Sequence, residues 1–194
     1  MHIPKKGLRV LGIAESYSGR QYSTLAGVVM RKDLLIDGFG FATVTVGGMD
    51  ATDAILQIVR GLDRRDINVM MLSGCVIAWF NVVDPAAIFK ETKIPVICVT
   101  YEQSEGLEPE IRTHFPGDDK RLEAYRNLGD RERVQLPEGL EQYIRGWGIP
   151  LPDATRITRD FTREGKIPEP LRVARLCARA VHATRLSHTG CMDS

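Results

Sequence analysis

Arg172, Arg175 and Arg179 stand at i, i+3 and i+7, so a helix carries all three on one face. Lys166 precedes them, and Arg156, Arg159 and Arg163 recur on the segment before. Cations in such a row suit contacts to phosphates. The row fits equally a solvated face partly paired with Asp160, Glu164 and Glu169. Asp50 and Asp53 open a stretch of helical periodicity, where carboxylates cap the helix and meet its dipole, or where Asp50 serves a site. Trp79-Phe80 suits packing in a core or a subunit interface, with base stacking as the competing use. Ser73 has neither a G-x-S-x-G setting nor a histidine nearby in sequence, so it is not expected to act as a nucleophile. Cys75 fits a structural thiol better than a reactive one. Asp84 precedes Pro85 as an N-cap. His114, His182 and His188 have no metal-ligand spacing.

The elements that must position these residues centre on Asp66–Asp84. Its apolar run, Ile67 to Leu72, predicts a strand buried on both faces, because such a strand shows continuous hydrophobicity. Ligands in open α/β sheets sit beyond the carboxyl ends of central strands, so Ser73 to Asn81 is the expected site region. Upstream, Leu8–Ile13, Tyr22–Met30 and a third system over 34–36 and 39–46 predict an antiparallel meander, with turns at Ser18-Gly19-Arg20 and Arg31-Lys32-Asp33. A helix follows from Asp50 to about Leu62, then the buried strand, a helix from Pro85 to about Thr92, and an apolar strand Ile94–Thr100. Beyond it the sequence predicts helices over 108–114 and 119–128, edge strands over 133–136 and 142–144, and a helix from Pro152 to about Arg163. Ile167–Pro170 is expected to be an extended link, and Leu171–Arg185 the last helix, with a frayed tail over 187–194. A meander feeding a parallel βαβ unit is an α/β mixed sheet flanked by helices, the order of a ribonuclease H-like fold.

The chain has 194 residues, 43% hydrophobic and 26% charged, which suits one domain over 1–194 with its core at about 8–186. A net charge of +1 excludes a strongly basic binder while leaving room for a local basic surface. The four cysteines lack a C-x-x-C pair, so zinc is not expected, and three of them lie in apolar contexts that suit small buried residues of a reduced, intracellular protein. MHIPKKGLRV carries no apolar core of a signal peptide, and no apolar run approaches the roughly 18 residues of a membrane span. A cytoplasmic protein without a membrane partner is the expectation.

RVLGIAES (Arg9–Ser16), DATDAI (Asp50–Ile55), FNVVD (Phe80–Asp84), IPVICVT (Ile94–Thr100) and GKIPEPLRVARL (Gly165–Leu176) resemble the endonuclease dU family, an archaeal family related to endonuclease V. The resemblance runs from about Leu8 to Ala180. It implies a ribonuclease H-like fold, a nucleic-acid partner (DNA or RNA), a part in DNA repair, and cleavage near a deaminated base by carboxylates holding Mg²⁺ or Mn²⁺. Residue by residue it fits poorly. The first-strand aspartate falls on Ala14, with Glu15 beside it on the opposite face of a regular strand. The junction carboxylate falls on Asp50, the buried-strand aspartate on Ser73, and the helix aspartate on Arg175. Two metals bring roughly +4 charge, which Asp50 and Glu15 beside an arginine do not balance. Three readings follow. The first is a nucleic-acid binder through Arg172, Arg175, Arg179 and Lys166, with Ala14, Ser73 and Arg175 marking a vestigial site. The second is a divergent metal-dependent phosphodiesterase or endonuclease using Glu15 and Asp50, which would also hold the Mg²⁺ or Mn²⁺. The third is a non-catalytic homodimeric interaction protein.

Overall fold

In the computed structural model, residues 7–17 and 21–189 are described, with side chains to Arg185. The turn expected at Ser18-Gly19-Arg20 and the tail from Gly190 lie outside the described residues. Strands β1 (Arg9–Ser16), β2 (Tyr22–Arg31) and β3 (Ile36–Thr45) lead to helix α1 (Ala51–Leu62). Then come β4 (Val69–Ser73), a small hairpin of β5 (Val76–Ile77) and β6 (Asn81–Val82), α2 (Pro85–Thr92) and β7 (Val96–Thr100). The chain continues with α3 (Glu108–His114), α4 (Asp119–Arg126), β8 (Glu132–Gln135), β9 (Glu141–Trp147), α5 (Leu151–Asp160) and α6 (Glu169–Thr189).

Seven strands form one sheet in the order β3-β2-β1-β4-β7-β9-β8. β1, β4 and β7 are mutually parallel, and every other pairing in the sheet is antiparallel. This is the mixed α/β architecture of the meander-plus-βαβ reading. The unbroken hydrophobicity of β4 has a direct cause. Met70 and Leu72 face the layer under α1, with Leu11, Ile13 and Ile58. Val69 and Met71 face the other layer, with Val10, Ile97, Phe161 and Leu171. Each such side chain contributes about 1.5–3 kcal/mol by leaving water, so slipping the strand by one residue gains nothing.

α6 lies directly on β1. A Cβ at Gly12 would stand 2.5 Å from Pro170 Cβ and 2.6 Å from its carbonyl carbon, so only glycine lets the helix start come this close. That approach also corrects the extended link expected at Ile167–Pro170. Glu169 and Pro170 form the first turn of α6, because proline is compatible with a helix start. α5 ends at Asp160 rather than near Arg163, β9 runs on to Trp147, and α6 continues to Thr189 instead of fraying from 187. Residues 76–82, most of them within the expected site region, form the β5–β6 hairpin. Cys75 and Cys98 lie side by side with Cα atoms 6.3 Å apart, within the range a disulfide spans. The pairing of Leu72 with Cys98 across β4 and β7 brings the two cysteines together, a proximity their spacing in sequence does not reveal. No helix among the described residues is long and apolar enough to cross a membrane.

The amino end of β1 is pinned by charges. Arg9 Nε donates to Asp37 at 2.6 Å, and Arg64 bridges Asp37 and Asp66, each at 2.8 Å. The hydrogen bonds from Arg64 and then Arg9 hold the Asp37 carboxyl down at about 2, from an ordinary 3.8. A depressed value stabilises the fold above the ordinary one, and the contribution is lost as pH falls toward the depressed one. Urea midpoints of the parent and Asp37→Asn are expected to differ at neutral pH and to converge as pH falls to about 2. A gap that persists unchanged through that window contradicts this origin.

Candidate nucleic-acid interface

The carboxyl ends of β1, β4 and β7 share one rim of the sheet, and α6 crosses it. Glu15, Ser16, Tyr17, Ser73, Arg175 and Arg179 line a cleft of about 270 Å³ there. Glu15 reaches it although β1 stays paired through Ser16, so no fraying is needed. One Glu15 oxygen accepts from the Ala78 N–H at 2.8 Å and the other from the Ser23 hydroxyl at 2.9 Å. Burial pushes the Glu15 carboxyl above the usual range, against those hydrogen bonds and the Arg175 charge, which pull it down. Ala14 is 3% exposed and packs with Val28 and Ala174 under α6. Arg175 Nη2 donates to Ser73 Oγ at 3.1 Å. A guanidinium thus sits on the residue where the resemblance puts a metal-binding aspartate.

The other expected residues lie elsewhere. Arg172 is ion-paired with Glu169 at the start of α6 and does not line the cleft. Lys166 reaches the Tyr101 carbonyl at 3.5 Å and lines a neighbouring hollow with Glu102 and Tyr143. Asp50 stands before α1 but makes no side-chain cap. Its carboxylate accepts from the Thr45 hydroxyl at 2.7 Å, the Thr45 N–H at 3.1 Å and Asn81 Nδ2 at 2.6 Å. Burial opposes ionisation of Asp50, yet the bonds from Thr45 and Asn81 outweigh it and lower its pKa. Capping passes to the fully buried Asn81, whose Oδ1 accepts from the Ala51 N–H at 3.0 Å. Asp84 does cap α2, accepting from the Ala87 N–H at 2.9 Å.

Mg²⁺ or Mn²⁺ does not fit this donor set. Hard cations need several anionic oxygens. The cleft offers one carboxylate, Glu15, beside the neutral hydroxyls of Ser16, Tyr17 and Ser73, and the Ser73 hydroxyl already receives a guanidinium. Among the described residues, no group of three or more His, Cys, Asp or Glu is arranged to hold a metal.

Beside the cleft, the β5–β6 hairpin turns through Ala78, Trp79 and Phe80 with φ of +41°, +60° and +61°. Left-handed backbone costs a non-glycine residue about 1–2 kcal/mol. Arg121, 4% exposed, holds the turn. It donates to the Gly47 and Gly48 carbonyls at 2.9 Å and to the Phe80 carbonyl at 2.5 Å, and it pairs with Asp118 at 3.0 Å. Its guanidinium lies 3.8 Å from the Phe115 ring centroid. Nothing in DDKRLEAYR singles out this arginine, because its partners are supplied by distant loops. Trp79 is 44% exposed, so it is not part of the core, since the reversed turn carries it outward.

A mixed sheet with this strand order, bearing a polar cleft at its parallel strand ends, has the ribonuclease H-like fold that endonuclease V also has. A solved Archaeoglobus fulgidus protein of unknown function superimposes with a TM-score of 0.80 at 27% identity, covering 90% of this chain and 98% of its own. Ciona intestinalis endonuclease V, in complex with a DNA containing an inosine, does so at 0.63 and 17%, covering 92% and 87%. The chain belongs to the Endonuclease dU family, whose model matches residues 6–182. A UPF0215 protein of Pyrobaculum aerophilum is 40% identical over 172 residues, 88% of this chain and 92% of that one.

Proposed function

We propose that this protein binds a nucleic-acid backbone in the strand-end cleft and does so without a metal ion. The charge balance there carries the reading: one carboxylate, Glu15, faces two guanidiniums, Arg175 and Arg179. A phosphodiester oxygen entering the cleft meets the remaining N–H groups of Arg175, the Arg179 head and the Ser73 hydroxyl. Charge-assisted donors of this kind are what a phosphate takes in place of a cation. Glu15, held by Ala78 and Ser23, limits the net charge of the cleft. The DNA held by the Ciona intestinalis protein of the same fold supports the class of ligand. The arrangement favours binding over two-metal cleavage, because Asp50 is engaged with Thr45 and Asn81 and does not line the cleft.

Fluorescence anisotropy with labelled oligonucleotides, including ones carrying deoxyuridine or inosine, tests this. Binding is expected to be the same in chelator and in Mn²⁺, with no cleavage product and no heat from Mn²⁺ alone in calorimetry. Mn²⁺-dependent cleavage that disappears in Glu15→Gln overturns the metal-free reading, and absence of binding overturns the proposal.

A further inference from the structure

We infer that Trp79 is a stacking platform for an unpaired nucleobase whose flanking phosphate occupies the Arg175–Arg179 cleft. The inference rests on the proposed binding at that cleft and adds what the cleft alone does not supply, a contact to the base. Three consecutive non-glycine residues, Ala78, Trp79 and Phe80, adopt left-handed backbone. Strain of this kind persists only where surrounding structure imposes it, and it gathers at functional positions. Here the imposing groups are on the page. Arg121 holds the Phe80 carbonyl, the Gly47 N–H donates to the Ala78 carbonyl at 2.8 Å, and the Ala78 N–H donates to Glu15. The last bond ties the turn to a residue of the cleft wall.

The turn then presents an indole rather than hiding it. Trp79 leans on His114, with ring centroids 4.8 Å apart, and meets Phe80 edge-on at 5.2 Å. Those contacts fix the ring while 44% of the residue stays exposed. A large aromatic held rigid and left open has little conformational entropy to lose on binding a flat partner. Stacking accepts any base, because every base has a π-face, so the surface favours single strands or flipped-out nucleotides over paired duplex.

The test compares a short single-stranded oligonucleotide with an abasic strand of the same length and charge, on the parent, Trp79→Ala and Trp79→Phe. The base-bearing strand is expected to bind the parent about tenfold or more tightly than the abasic one. Trp79→Ala is expected to abolish that difference and Trp79→Phe to retain most of it. The chain has two tryptophans, so in a Trp147→Phe background the indole emission reports Trp79. Quenching by the base-bearing strand and not by the abasic one is expected. Equal parent affinity for both strands, with binding still lost in Arg175→Glu/Arg179→Glu, overturns the platform and leaves the phosphate cleft standing. No binding of either strand to the parent overturns both. The strand comparison needs no substitution at Trp79, so a variant that fails to fold does not decide the outcome.

Discussion

Arg175→Glu combined with Arg179→Glu is expected to weaken oligonucleotide binding by a hundredfold or more, on the order of 3 kcal/mol at low salt. Both arginines line the cleft beside Glu15, so each reversal removes a phosphate donor and adds an anion where a phosphate would sit. The salt dependence carries the sharper information. Each phosphate neutralised on a single strand contributes roughly 0.7 to the slope of log affinity against log salt, so losing the one held between the two arginines flattens it by about 0.7. Arg172→Glu is the control. Its guanidinium is committed to Glu169 and lies off the cleft, so affinity and slope are expected to stay near those of the parent. If Arg172→Glu weakens binding as much as the cleft pair does, the basic face of α6 acts as a diffuse surface and the cleft has no special standing. Thermal melting separates lost binding from lost fold, since Arg175 makes one hydrogen bond to Ser73 from the rim and is not part of the core.

Arg121→Ala is expected to be the most destabilising of these changes, by about 3–5 kcal/mol, read as a fall in the urea midpoint. The side chain is 5% exposed, and its loss strands the carbonyls of Gly47, Gly48 and Phe80 together with half-buried Asp118. A buried acceptor without a donor costs about 1–3 kcal/mol, and these sit in one pocket. Arg121→Lys is expected to restore little, because one ammonium cannot span three carbonyls and a carboxylate as a planar fork does. The same variant loosens the Ala78–Phe80 turn, so exposure of Trp79 is expected to rise, seen as a red shift of its emission in the Trp147→Phe background. Arg126→Ala on the same helix, which removes only an exposed pair with Glu108, is the comparison that is expected to change little. A small effect of Arg121→Ala would mean that water replaces the guanidinium and that the reversed turn holds itself.

The sequence determined the sheet. Continuous apolar runs in β4 and β7 require cover on both faces, and Met70 and Met71 receive it from opposite layers. Proline after Asp84 started α2 where local sterics predict, because capping involves only residues three apart. Proline also misled: the extended link expected through Pro168 and Pro170 gave way to a helix start, because packing on Gly12 favours the helix there. The motif positions Ala14, Glu15, Ser73 and Arg175 were legible, and so was the charge deficit among them. The pairings across the chain were not. Asp50 looks like a cap and a candidate ligand in sequence, but Thr45 and Asn81 take its carboxylate and Asn81 takes over the capping. Glu15 meets Ala78 across 63 residues, and Arg175 meets Ser73 across 102. Arg121 reaches Gly47 across 74, and the outward turn of Trp79 depends on that reach. Local propensity and periodicity act over a few residues, so they fixed which segments became strands and helices. Which side chains faced one another at the strand ends was left to tertiary packing, and the chemistry of the cleft lies in those contacts.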